Sequence, residues 1–115
     1  MGSKEGGAKM LFLGNAFALS MLTTPESTLR CRKVTIEEAK SLLSSQGWAS
    51  CIGHEDLAKV VSGLLGLEVP ANRVSVSLNQ GDMLIAAQYI GPRLPEGTTK
   101  LPPGAQIVFY TVEVV

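Results

Sequence analysis

The sequence predicts a mixed α/β domain, with a central β-sheet of about five strands flanked by helices. Three patterns carry that prediction. Thr35-Ile36-Glu37-Glu38 has capping-box spacing, in which the threonine hydroxyl accepts the glutamate N–H and the glutamate carboxylate accepts the threonine N–H. Past Gly53, the residues Leu57, Val60, Val61, Leu64 and Leu65 recur at helical intervals and stop at Gly66. Elsewhere, 73–78 and 105–115 alternate with period two, as strands with one buried face do.

Taken in order, residues 10–14 form a short apolar run closed by glycine, which reads as a buried strand. The segment 15–22 has no clean period, but Phe17, Met21 and Leu22 are suited to capping a core. Residues 28–34 alternate imperfectly, with Leu29, Cys31 and Lys33 on one face and Arg30, Arg32 and Val34 on the other. That is a charged strand near a sheet edge. The capping box then starts a helix of about ten residues, with Ile36, Ala39, Leu42 and Leu43 on its inner face and Gln46-Gly47 as its stop. Residues 48–52 are a brief strand or extended link, and the second helix follows Gly53.

Beyond Pro70, the alternation of 73–78 places Val74, Val76 and Leu78 inward and Ser75 and Ser77 outward. Asn79-Gln80-Gly81-Asp82 is turn chemistry, so 73–90 is expected to be a β-hairpin. From Gly91 to Gly104 the chain is rich in glycine and proline and reads as a long loop, and 105–115 supplies the last strand.

The chain has 115 residues, 45% apolar and 17% charged, which suits one globular core at 10–115. The polar, glycine-rich 1–9 reads as a disordered lead or an expression remnant. Ten basic and ten acidic residues cancel, so no overall field favours duplex nucleic acid or an anionic membrane surface. No apolar run approaches the length of a bilayer span. Cys31 and Cys51 lack zinc or Cys-x-x-Cys spacing and read as free thiols of an intracellular protein. One histidine and scattered carboxylates give no metal-ligand set, and there is no P-loop or dinucleotide fingerprint. No cofactor is expected.

The stretch Ser50-Cys51-Ile52-Gly53-His54-Glu55-Asp56-Leu57-Ala58 holds the one histidine, placed at the first turn of the second helix. Imidazole is the side chain suited to proton transfer near neutral pH, and free N–H groups at a helix start suit a phosphate. The helix start disfavours an imidazolium while a bound phosphate favours it, which would give an acid formed when substrate arrives. The ordinary alternative is a helix-start histidine satisfied by a neighbour. Leu57 and Ala58, at i+3 and i+4, would place the ring on the packed side. Arg93 and Glu96 lie in the long loop, either as an exposed ion pair worth under ~1 kcal/mol or as groups that hold and orient a phosphate. Arg73 and Asn15 are, equally, strand-end and turn residues or ligand contacts.

Four short motifs in register, Asn15-Ala16-Phe17, Ile52-Gly53-His54, Asn72-Arg73-Val74 and Arg93-Leu94-Pro95-Glu96-Gly97, resemble the viral anti-CRISPR ring nucleases, and the resemblance spans nearly the whole chain from Met10. It implies a homodimer, in the cytoplasm of an infected host, that binds cyclic tetra-adenylate across its two-fold axis. Cleavage would need no metal: a ribose 2′-hydroxyl attacks its own phosphate and His54 protonates the leaving oxygen, yielding linear di-adenylate with a 2′,3′-cyclic phosphate. The resemblance places Arg93 and Glu96 in the catalytic loop and Asn15, Ala16, Phe17, Gly53, Arg73, Val76 and Gln88 toward the ligand. Ala18 stands where the family often has serine, which leaves Ser20 as the nearby hydroxyl. Gly91-Pro92 lengthens the step from Gln88 to Arg93, and the prolines after Gly97 replace a helix common in the family. A self-attacking nucleophile explains how one histidine per chain suffices, since a two-fold axis supplies a second. The alternative is a non-catalytic sponge or sensor using the same pocket.

Overall fold

The structure, a computed structural model, describes residues 9–115. The lead expected at 1–9 therefore lies, apart from Lys9, outside the described residues. Strands β1 (Leu11–Gly14), β2 (Leu29–Val34), β3 (Ala49–Ser50), β4 (Met83–Ile90) and β5 (Gln106–Val114) form one sheet, with helices α1 (Ile36–Ser45) and α2 (Glu55–Leu65). The strand order is β2-β5-β4-β1-β3. β1 runs parallel to β3 and β4, whereas β5 is antiparallel to β2 and β4. The mixed five-stranded α/β architecture is the one predicted.

β1 lies between two parallel neighbours, and its Leu11 and Leu13 are fully buried, which is why it reads as a continuous apolar run. β2 is an edge strand with every residue but Val34 exposed. Its Arg30, Arg32 and Lys33 discourage further strands from adding there. Arg30 also faces Glu113 across the ladder at 3.5 Å.

Both bonds of the capping box are present at 3.1 Å, from the Glu38 N–H to Thr35 Oγ1 and from the Thr35 N–H to Glu38 Oε1. α2 ends at Gly66, whose φ of 66° lies in the left-handed region that glycine adopts without a Cβ clash. Both helices cover the same face of the sheet. Ala39 and Leu43 of α1 and Leu57, Ala58, Val61 and Leu65 of α2 join Leu11, Leu13, Ile85, Ala87 and Phe109 in one core.

The opposite face is covered without helices. Leu84, Ala86, Val112 and Val114 meet Val76 and Leu78, with Phe17, Met21, Leu22 and Cys51 packed around them. Here the expected hairpin gives way to a different arrangement. Residues 73–78 are extended and alternate in burial near their end, with Val76 and Leu78 buried and Ser75 and Ser77 exposed, but Val74 is 53% exposed. They pair with no part of β4, because β1 and β5 already occupy both of its edges. A lone parallel bridge joins Leu78 to Leu22 instead. Period two reports alternating burial, and a chain laid across a sheet face shows it as well as a chain hydrogen-bonded into the sheet.

Candidate functional site

The three mutually parallel strands deliver chemistry to one edge of the sheet. Asn15 follows β1, residues 51–54 follow β3, and residues 91–96 follow β4. Since β1 lies between β3 and β4, Asn15 stands between His54 and Arg93 along that edge. The crevice beyond the carboxyl ends of parallel strands is where open α/β sheets generally bind ligands.

His54 lines three adjoining depressions. One of about 400 Å³ is formed with Asp56, Arg93, Leu94, Pro95 and Glu96. A second, of about 350 Å³, is formed with Asn15, Leu57, Tyr89, Gly91, Arg93 and Leu94. The third, also about 350 Å³, has Asn15, Cys51, Gly53, Arg73 and Val74 in its walls. Together they form an open cleft carrying one imidazole, two guanidinium groups and the carboxylates of Asp56 and Glu96. His54, Arg93, Glu96, Asn15, Gly53 and Arg73 are thus brought together from four separate segments.

The position of His54 differs from the expectation. Its ring is exposed and not on the packed side, and the residue is the N-cap of α2, with extended φ and ψ of −120° and 119°. Its Nδ1 accepts the Leu57 N–H at 3.1 Å. A ring nitrogen that accepts is unprotonated, so Nε2 carries the proton of the neutral ring. The Cα–Cβ direction of a helical residue does not apply to a cap, whose side chain folds back over the first turn.

Arg93 and Glu96 are both exposed, and they do not form the local ion pair weighed from the sequence; the described ion pairs are Arg30–Glu113, Arg32–Glu38 and Lys59–Glu55. Arg73 is held by its neighbour: Asn72 gives its N–H to the Ile52 carbonyl at 2.8 Å and its side-chain amide to the Ser50 carbonyl at 3.0 Å. The Arg73 side chain then passes over Gly53, where a Cβ would lie 3.1 Å from its Cγ.

Other expected contacts fall elsewhere. Val76 is buried in the second core and does not face the cleft. Ser20 lies in a 3-10 turn, Leu19–Met21, on the face away from the helices, and Ala16 is exposed between Asn15 and Phe17. Phe17 and Gln88 line a separate concavity of about 510 Å³ with Cys31, Ala86, Ile90, Tyr110 and Val112, on the face without helices. Side chains of β4 alternate between faces, so Gln88 points away from the side on which Tyr89 joins the helical core.

Asp56 and Tyr89 carry no signal of a role in the sequence. Asp56 reads as an ordinary acidic residue of a helical first turn. Tyr89 donates its hydroxyl to the Pro92 carbonyl and so holds the start of the loop. Gly91 must be glycine there, with φ 150° and a Cβ position 2.8 Å from Ala105. Burial pushes the Cys51 thiol above its ordinary value of 9.0. Among the described residues, no three His, Cys, Asp or Glu side chains gather as a metal site. No described helix is long and apolar enough to cross a membrane.

Fold and cleft define a small α/β protein with an open, polar, guanidinium-lined crevice at the carboxyl edge of a mixed sheet. Residues 11–102 match the STIV B116-like family, and the chain belongs to it. It is 35% identical over 88 residues to uncharacterized protein 26 of Sulfolobus islandicus filamentous virus (isolate Iceland/Hveragerdi), covering 76% of this chain and 74% of that one. It is 42% identical over 67 residues to uncharacterized protein ORF117 of Acidianus two-tailed virus, covering 56% of each. Among solved structures, B116 of Sulfolobus turreted icosahedral virus superposes with a TM-score of 0.75 at 29% identity, over 90% of this chain and 98% of that chain. These relatives are all proteins of archaeal viruses.

Proposed function

We propose that this protein is a metal-independent ring nuclease that binds cyclic tetra-adenylate between two copies of the chain and cleaves it to linear di-adenylate, antagonising type III CRISPR signalling in the host cytoplasm. The observation that carries this reading is the convergence of His54, Arg93 and Glu96 with Asn15 and Arg73 around one cleft. These groups suit an anionic, hydrogen-bonding ligand, and they include one proton donor of suitable chemistry.

In this mechanism the ribose 2′-oxygen attacks the phosphorus of its own 3′-phosphate and the bond from phosphorus to the next 5′-oxygen breaks. His54, as imidazolium, gives its Nε2 proton to that departing oxygen. Glu96 takes the proton of the attacking hydroxyl, and Arg93 neutralises the charge that builds on the phosphoryl oxygens. An imidazolium must carry a proton on Nδ1, which displaces the Leu57 N–H from its present acceptor. A phosphate oxygen at the start of α2 supplies a replacement, so substrate binding and formation of the acid are coupled. Two copies related by a two-fold axis place one such site at each of two opposite linkages, and four nucleotides become two pairs. The concavity that includes Phe17, Ile90 and Tyr110 gives the second copy an apolar face to cover.

The test is incubation of purified protein with cyclic tetra-adenylate in excess chelator, followed by chromatography. Di-adenylate ending in a cyclic phosphate is the expected product. Intact ligand recovered after denaturation would instead make the protein a sponge or sensor, and absence of binding would remove the nucleotide altogether.

A further inference from the structure

We propose that Asp56 is a positioning residue that clamps the 91–105 loop to the helix bearing His54; the assignment rests on the ring-nuclease reading of the cleft. Asp56 Oδ2 accepts the Gly97 N–H at 2.9 Å, across 41 residues of sequence. Among the described residues, this is the hydrogen bond that ties the loop to an element other than the strand it leaves. Its other bonds are local: Tyr89 to Pro92, Thr98 to Pro95 and Ala105 to Pro102.

The clamp acts where position matters. Gly97 directly follows Glu96, and the turn from Pro95 to Thr98 closes through an N–H to carbonyl bond of 3.2 Å. Asp56 lies two residues after His54 and shares one depression with it, Arg93 and Glu96. A short path therefore runs from the imidazole through the first turn of α2 to Glu96, on a loop rich in glycine and proline. The carboxylate also has a cost that calls for a reason: a fixed negative charge in a cleft for phosphate opposes its ligand. Holding the loop supplies that reason, since misplacing a reacting group by about 1 Å can cost ~10²-fold in rate.

Asp56→Ala and Asp56→Asn separate this role from simple stabilisation of the helix end, because asparagine loses the charge but keeps an acceptor oxygen. The readouts are exchange of the Gly97 amide by NMR and steady-state cleavage of cyclic tetra-adenylate. Asp56→Ala is expected to speed Gly97 exchange about tenfold and to lower kcat about tenfold or more with KM nearly unchanged, and Asp56→Asn to recover most of both. Lower melting temperature with Gly97 exchange and kcat unaltered would overturn the clamp, as would an asparagine variant as impaired as the alanine one. Failure of the wild-type protein to cleave the ring would remove the ring-nuclease reading. Gly97 exchange would still decide the clamp, and equal exchange in wild type and Asp56→Ala would sink it.

Discussion

The imidazole Nδ1 of His54 accepts the backbone N–H of Leu57 at 3.1 Å, so the proposed acid is also the cap of its own helix. An alanine variant therefore removes two things together. Asparagine is a strong N-cap that cannot serve as the acid. His54→Asn is expected to melt at or above the wild-type temperature while cleaving cyclic tetra-adenylate at least ~10²-fold more slowly. His54→Ala should show the same loss of cleavage with an added destabilisation of about 1 kcal/mol. Thermal melts beside product assays check both, and wild-type-like cleavage by His54→Asn would exclude the imidazole from the chemistry.

A side chain at Gly53 would crowd Arg73. A Cβ there would meet the Arg73 side chain at 3.1 Å at its Cγ and 3.5 Å at its Cβ, contacts that a flexible side chain relieves by turning away. Gly53→Ala is expected to leave the melting temperature nearly unchanged and to raise KM for the nucleotide several-fold with kcat largely kept, the pattern of lost uniform binding. Calorimetric titration of ligand onto the variant checks the binding arm.

Gly14 is constrained from the other side of β1. A Cβ would lie 2.7 Å from Cys51 Sγ and 3.2 Å from Leu84 Cδ1, beside the second core, so one or both side chains would have to shift. Gly14→Ala should cost about 1–3 kcal/mol of stability as overpacking. Adding Cys51→Ala, which removes the nearer clash, should return part of that loss. Urea denaturation of the single and double variants measures the coupling.

Burial raises the Cys51 thiol above 9.0, so the folded chain holds that proton more tightly than the unfolded chain does. The associated stability is fully present below pH 9.0 and is lost as pH rises through the folded-state value. Denaturation midpoints should fall above that pH, and part of the fall should be missing in Cys51→Ala. Identical alkaline profiles would show that the thiol does not contribute.

Much of the fold was legible because its signals are local. The Thr35–Glu38 box, the stripe from Leu57 to Leu65 and the Gly66 stop are set by neighbours within a few residues, and both helices lie where those signals placed them. The buried run of β1 and the charged edge strand β2 were equally readable. Residues 73–78 show the limit. Their alternation correctly marked Val76 and Leu78 as buried, but the sequence could not tell that β1 and β5 would occupy the strand they seemed made to join.

The site divides along the same line. Sequence alone identified His54, Arg93, Glu96, Arg73 and Asn15 as the residues able to do chemistry, because functional-group identity is fixed residue by residue. Only the tertiary structure decided that Val76 belongs to a core and Gln88 to the other face, that His54 caps its helix, and that Asp56 reaches Gly97. Those outcomes depend on which segments compete for the same edge, face or amide, and that competition is settled by the whole chain at once.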